Sequence, residues 1–344
     1  MAELKPFQGW RYNPAKVSPQ RQLSPLVDVL SPEQLQDLYR QPYNSLQLSM
    51  PTDLEEAPFI LKNWQNGRFL KQDPLPAIYP CYQKFSLFGK EKQFLRKGIL
   101  VMVRLNQPDR KSIVLHEGII EESLQERIRL LQTIQMNVAP THGLFDGPDY
   151  GLEAILDEFM QKPILESIDH QGVVNQFGII QHAGVIQKIQ QYFLDKTIYL
   201  ADGHHRLAAS ERFAALHPQN PFAQYHFMYL TNLRADDLKI LPIHRFVNAS
   251  ILPATEKIRE KISYYFNVFP SNNRIPLWEE IRNSPYSFGM LWNHETKIIQ
   301  LKPEIKPKRI PLNLPDAVKE LPYTILHYYL FDQVLGIPYH EQTH

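Results

Sequence analysis

The most informative segment of the chain reads Tyr199-Leu200-Ala201-Asp202-Gly203-His204-His205-Arg206-Leu207-Ala208-Ala209-Ser210. Apolar residues enter it from position 197 and a helix-forming run leaves it to position 216, a pattern that predicts a strand, a tight turn and a helix. The first turn of a helix exposes unpaired backbone N–H groups and the positive end of the helix dipole, which together favour a phosphate or another anion. Gly203 can adopt a positive φ and allows a ligand to approach the backbone closely. The segment therefore predicts an anion-binding turn.

Four side chains of this turn are candidates for binding or catalysis, and each could instead have only a structural role. Asp202 is a candidate ligand of Mg²⁺ that could also position a hydroxyl group, or it caps the following helix. Arg206 offers a planar set of donors for phosphate or carboxylate, or it is an ordinary surface arginine. His204 and His205 are adjacent, so their side chains diverge, and this argues against one zinc ion bound by both.

A second cluster, His116-Glu117, ends the apolar stretch 112–115. A carboxylate at the end of a strand can act as a general base toward a substrate hydroxyl. The alternative is a pair of turn residues that face solvent.

Other candidates are weaker on sequence alone. His244 and Arg245 end a third cluster, where they either reach a polar site or form a pair on a strand expected over 240–247. Asp28 and Asn44 lie in segments flanked by proline, a pattern typical of turn residues.

Charge and composition exclude several classes of partner. The net charge is +1, so no electrostatic attraction to nucleic acid or to an acidic membrane is expected. The N-terminal residues lack an apolar signal-like segment and no run of about 18 apolar residues occurs, which indicates a soluble, cytoplasmic protein. Cys81 is the only cysteine, so no disulfide forms within the chain, and we expect this residue to fill space at a buried or half-buried position.

The order of strand-like and helix-like segments predicts an α+β fold with mixed sheets and surrounding helices, because the regular βαβ rhythm is missing. Strands over 77–87 and 98–105 are expected to pair. Ser31 begins a helix in which Gln34 completes a capping box. A long helix is expected over 315–335.

These clusters, in this order, resemble a bacterial family catalogued as Domain of Unknown Function 1015, whose hallmark Asp-Gly-His-His-Arg stands here at 202–206. Further matching stretches are Gly9-Trp10-Arg11-Tyr12-Asn13-Pro14, Asp28-Val29-Leu30-Ser31, Pro42-Tyr43-Asn44, His116-Glu117, Arg127-Ile128-Arg129-Leu130-Leu131 and 241–247. The family resembles in turn the ParB/sulfiredoxin-like fold of free-serine kinases. This implies a ParB/sulfiredoxin-like catalytic core over 111–250, between an N-terminal α/β region (1–110) and a C-terminal α+β region (251–344).

The resemblance also implies a role for each residue of the clusters. Glu117 would be the base acting on a substrate hydroxyl, and Asp202 would assist it or hold Mg²⁺. The nucleotide phosphates would be bound by Gly203, His204, His205 and Arg206. Support for the substrate or the site would come from His116, Asp28, Asn44, Arg127, His244 and Arg245.

Two functions follow as hypotheses. The first is a Mg²⁺-dependent phosphotransferase that uses ATP or ADP to phosphorylate the hydroxyl of a small metabolite, with free L-serine as one candidate. The second is a nucleotide-binding or sensing protein without turnover. A DNA-bound partitioning role is disfavoured because the net charge is near zero and no basic recognition helix is evident.

Overall fold

A computed structural model describes residues 2–18, 22–24, 30–87, 92–107, 109–116, 119, 121–239, 244–272, 275–292 and 294–339. The chain divides into two compact units, 1–240 and 241–344. Both combine helices with antiparallel or mixed sheets, so the predicted α+β class is confirmed. The three-region division and the ParB/sulfiredoxin-like core stay predictions.

The first unit is built around a mixed sheet. Its strands are β1 (Leu4–Lys5), β2 (Trp10–Tyr12), β3 (Leu70–Gln72), β4 (Tyr79–Ser86), β5 (Gln93–Arg104), β6 (Ile113–Val114), β7 (Thr141–Phe145), β8 (Leu165–Ile168), β9 (Val174–Phe177), β10 (Ile198–Asp202) and β11 (Tyr225–Asn232). The main sheet runs β6-β10-β7-β11-β5-β4-β9-β8, with β1 also paired to β5, while β2 and β3 form a separate pair. Strand β10 is parallel to β6 and antiparallel to β7, whereas β11 is parallel to β7.

The first unit has seven helices among the described residues, and they include the two that the sequence predicts, after Ser31 and after the Asp202–Arg206 turn. They are α1 (Pro32–Arg40), α2 (Leu46–Ser49), α3 (Ala57–Asn66), α4 (Glu121–Ile134), α5 (Gly151–Met160), α6 (Ala183–Phe193) and α7 (His204–Leu216). The predicted capping box is present: the Ser31 side chain accepts from the Gln34 backbone N–H, and the Gln34 side chain accepts from the Ser31 backbone N–H. These two bonds satisfy backbone donors that the first turn would otherwise leave unpaired.

Alternation along β5 separates the two faces of the sheet. Ile99, Val101 and Val103 point into the main apolar core, which also contains buried residues of α5, α6, β10 and β11. Leu100 and Met102 lie between them on β5 and therefore point to the opposite face. The predicted pairing of β4 with β5 is confirmed over their whole common length.

The second unit has its own sheet and core. Its strands β12 (Phe266–Pro270), β13 (Ser287–Trp292) and β14 (Glu295–Leu301) form an antiparallel sheet in the order β12-β14-β13. Its helices are α8 (Thr255–Tyr265), α9 (Leu277–Ile281), α10 (Asp316–Lys319) and α11 (Pro322–Ile325), with a π-helical segment at Leu326–Val334 and 3₁₀ turns at Ala249–Ile251 and Pro307–Arg309. The core joins apolar residues of α8, β12, β14 and the C-terminal helices.

The long helix expected over 315–335 is wrong, because the segment is broken. Helix α10 ends at Lys319, and Pro322 occupies the first position of α11. Proline has no backbone N–H and its ring clashes with the preceding turn, so it starts a new helix instead of continuing the old one. The strand expected over 240–247 is not observed either: 244–247 form no strand, and 240–243 lie outside the described residues.

The expected burial of the single cysteine is confirmed. Cys81 lies buried on β4, and burial raises the pKa of its thiol to about 12. As for a membrane span, no helix in the described part of the chain is both long enough and apolar enough to cross a bilayer.

Candidate functional site

The predicted strand, turn and helix are present as β10, Gly203 and α7. Gly203 has φ +94° and precedes a helix of 13 residues that has no side-chain cap among the described residues. A Cβ at this position would lie 2.6 Å from Cγ2 of Thr141, so both the backbone angle and the space require glycine. Because Gly203 occupies the N-cap position, Asp202 does not cap the helix. The first turn of the helix therefore receives no cap from the side chain of its own N-cap residue.

Arg206 is held in place on the first turn of α7. Its Nη1 donates to the carbonyl oxygen of Pro140 at 2.6 Å, and its Nη2 donates to Oδ2 of Asp202 at 2.5 Å. The Asp202 side chain is 69% exposed and that of Arg206 is 31% exposed. An ion pair this open to water adds little stability. Its effect is to fix the direction of the guanidinium next to the helix start.

His204 and His116 form a contact between the helix start and the segment after β6. His204 is buried, and its ring lies edge-to-face with that of His116 at 4.6 Å between centroids. The backbone N–H of His116 points at Nε2 of His204, at 3.5 Å. Strand β6 runs parallel to β10, so the two chain segments leave the sheet at the same edge. His205 is half-buried beside them on the first turn.

A buried chain of polar groups lies beneath the turn. The Ser210 hydroxyl is 2.6 Å from Nδ1 of His226, and Nε2 of His226 is 3.1 Å from the Thr141 hydroxyl. Thr141 in turn touches Gly203. Burial, with a smaller effect of Arg206, lowers the pKa of His226 to about 3. The ring is therefore neutral at physiological pH, with one nitrogen donating and the other accepting.

His142 faces Asp202 across the sheet, in direct register between β7 and β10. Its Nε2 is 2.8 Å from the Thr231 hydroxyl, and its ring stacks on Tyr229 at 5.4 Å between centroids. Burial lowers the pKa of His142 to about 4, with Arg96 acting in the same direction and Asp202 opposing it. A neutral imidazole thus lies beside the Asp202 carboxylate.

The structure brings six of the predicted site residues together: His116, Asp202, Gly203, His204, His205 and Arg206. It records other contacts for Asn44 and Arg127. The buried Asn44 amide donates to the Leu23 carbonyl and accepts from the N–H of Leu46, which opens α2. Arg127 donates to the carbonyl oxygen of Ser49 at the end of α2. Roles for these two residues in a site stay predictions.

The remaining predicted residues belong to the second unit or lie outside the described part of the chain. Glu117 and Asp28 are outside the described residues. His244 and Arg245 belong to the second unit, where Arg245 donates to Nε2 of His327 at 3.4 Å and lies over the Tyr323 ring.

The donor set around Asp202 limits how Mg²⁺ could be held. Among the described residues, no group of three or more His, Cys, Asp or Glu side chains is arranged to bind a metal ion. One exposed carboxylate fits a Mg²⁺ ion that is held mainly by water and by the phosphates of a nucleotide, which is the usual arrangement of this ion. It does not fit an all-protein metal cage.

Sequence reasoning missed the groups contributed by β7 and β11. His142, Thr141, His226 and Thr231 come from strands that are separated by more than eighty residues in sequence. Only the register of β7 against β10 and β11 brings them to the turn. The polar Thr141-His142 pair directly after Pro140, at the start of a strand, was the available signal.

The sequence pattern of the family described as "Protein of unknown function (DUF1015)" matches residues 4–324. The chain therefore belongs to this family, as its motifs had indicated. Comparison with curated proteins and with solved structures gave no match.

Proposed function

We propose that this protein is a Mg²⁺-dependent phosphotransferase that moves a phosphoryl group from ATP or ADP to the hydroxyl of a small metabolite, with free L-serine as the first substrate to test. The observation that carries the proposal is the turn from Asp202 to Arg206, in which Arg206 is held by two hydrogen bonds. Gly203, at positive φ, is the N-cap residue of a helix of 13 residues, and the Arg206 guanidinium is fixed beside the helix start by Pro140 and Asp202. This combination of helix start and fixed guanidinium suits a phosphate group.

Each group has a part in the proposed reaction. The N–H groups of the first turn of α7 and the Arg206 guanidinium bind the phosphates and stabilise the charge on the phosphoryl group in transfer. Asp202, exposed and bonded through one oxygen, contributes the carboxylate ligand of Mg²⁺. Glu117 accepts the proton of the substrate hydroxyl, as the family resemblance implies. Phosphoryl transfer needs little more than positioning, a base and positive charge.

The direct test incubates purified protein with Mg²⁺, L-serine and γ-labelled ATP or β-labelled ADP. We expect labelled phosphoserine from the natural protein and none from Glu117→Gln. Arg206→Ala is expected to raise KM for the nucleotide, with Arg212→Ala as the matched control because Arg212 is an exposed arginine on the same helix. If no phosphorylated product forms with serine or with a panel of small hydroxyl compounds, the phosphotransferase proposal is wrong.

A second candidate is a nucleotide-binding protein without turnover. The observation in its favour is the ion pair between Asp202 and Arg206. The Asp202 carboxylate, which the phosphotransferase would use as its Mg²⁺ ligand, is already bound by Arg206. Thermal-shift titration separates the two functions. Stabilisation by ADP that is lost in Arg206→Ala, together with no product from any acceptor, would favour the binding protein.

A further inference from the structure

A large cavity lies in the first unit, lined by residues outside the Asp202–Arg206 turn. Its volume is about 900 Å³. Pockets for small ligands typically span about 300–1,000 Å³. The cavity therefore has the size of a ligand site.

The wall of the cavity is mainly apolar and aromatic. Leu100 and Met102 contribute from the face of β5 that points away from the main core. Phe7 lies on the wall with its ring 4.9 Å from Tyr79 and 5.3 Å from Phe227, so these rings support one another. An apolar ligand body would be desolvated against this wall, which is the main source of affinity in such pockets.

Charge in the described lining has one sign. Lys5 and Arg11 are its charged residues, and no carboxylate side chain is part of it. Arg11 is neutralised by buried Asp73, to which it donates two hydrogen bonds. The Lys5 ammonium lies 4.5 Å from the centroid of Phe222 and 4.7 Å from that of Tyr225, with no carboxylate partner among the described residues. The Lys5 end of the cavity therefore holds an uncompensated positive charge.

The two cations of the lining lie six residues apart on one segment of the chain. In this segment Lys5 pairs with Met102, Phe7 forms a bridge with Ala77, and Arg11 pairs with Lys71. Trp10 and Trp64 line the part of the cavity near Arg11.

We propose that this cavity binds an amphipathic carboxylate with an apolar body, of the class of medium-chain fatty acids. The carboxylate pairs with Lys5, and the chain extends along the aromatic wall toward Trp10 and Trp64. Charge complementarity selects an anion over a cation, and the mainly apolar, aromatic wall selects a ligand with an apolar body. This site is separate from the proposed phosphate site and does not depend on it.

The test uses tryptophan fluorescence of the full chain with dodecanoate brominated at its terminal carbon, below its critical micelle concentration. Bromine quenches an indole only at short range, so saturable quenching is expected from Trp10 and Trp64. The single variants Trp10→Phe and Trp64→Phe should each remove part of it. The double variant Trp10→Phe, Trp64→Phe keeps only Trp278 and Trp292 of the second unit, and it measures the quenching that does not come from the cavity tryptophans.

Two controls make the test decisive. Lys5→Gln is expected to weaken binding about tenfold by removing the charge-assisted contact, whereas Lys188→Gln, an exposed lysine on α6, leaves it unchanged. Dodecylamine is expected to bind more weakly than dodecanoate. The proposal is overturned if the bromo acid gives no saturable quenching, if quenching persists in the double Trp10→Phe, Trp64→Phe variant, or if the amine binds the natural protein as well as the acid does.

Discussion

Arg206 is the residue on which the phosphate proposal depends most, because two separate contacts determine where its guanidinium points. Lysine keeps the charge but has no planar fork, so Arg206→Lys cannot reach Pro140 and Asp202 together. We expect Arg206→Lys to weaken ADP binding about tenfold, equivalent to about 1.4 kcal/mol. Isothermal titration calorimetry measures this, with Arg212→Lys as the control. Equal affinity in Arg206→Lys and the natural protein would contradict the assignment.

Gly203 allows a residue-scale prediction with an internal control. Gly203→Ala combines an unfavourable positive φ with a Cβ only 2.6 Å from Thr141. Gly172 has a similar φ of +76°, but a Cβ added there would meet nothing within 4 Å, so Gly172→Ala has only the backbone penalty.

We expect Gly172→Ala to lower the free energy of unfolding by about 1 kcal/mol and Gly203→Ala by roughly 2–4 kcal/mol, measured by urea denaturation. Equal losses would mean that Thr141 moves aside without cost. In that case the close contact would not be the reason for glycine at the turn.

At the scale of elements, β7, β10 and β11 place two neutral histidines in buried surroundings. The pKa values of His142 and His226 in the folded state, about 4 and about 3, lie below the ordinary value of 6.5. Below pH 6.5 the unfolded chain therefore binds protons that the folded chain does not. The unfolding free energy is expected to fall as pH decreases from 6.5, by up to about 1.4 kcal/mol per pH unit for each histidine.

Urea unfolding at pH 7.5, 6.5, 5.5 and 5.0 measures this slope. Replacing the half-buried His142 removes one of the two groups, so His142→Gln is expected to show a shallower decrease with falling pH than the natural protein. Parallel curves for the two proteins would show that His142 is not held neutral by the fold.

The strands and helices also show which parts of the fold and the site the sequence predicts, and why it does not predict the others. The strand, turn and helix around Gly203 were predictable because the signals are local: an apolar run, a glycine and a helix former in succession. The β4–β5 pairing was predictable for the same reason. His142 and His226 were not, because their positions depend on register between strands more than eighty residues apart. The break at Pro322 does have a local signal, the proline itself, which outweighs the apolar residues on either side.

At the scale of the whole molecule, each apolar core lies within one unit. The sheet, the candidate site and the cavity belong to 1–240, and the core around α8 and β14 belongs to 241–344. A fragment of residues 1–240 is therefore expected to fold alone and to keep ADP-dependent stabilisation. Circular dichroism melting of the fragment and of the full chain tests this. A fragment without a cooperative transition would show that the first unit needs the second.

The single thiol at Cys81 has a practical consequence for all of these measurements. Because it is buried and its pKa is raised to about 12, very little thiolate is available for alkylation at neutral pH. A cysteine introduced at an exposed position, for example Arg212→Cys on α7, would react with maleimide dyes while the native thiol stays unlabelled. The native cysteine therefore does not have to be replaced before labelling. A single fluorophore on the introduced cysteine can report on ligand binding near the turn.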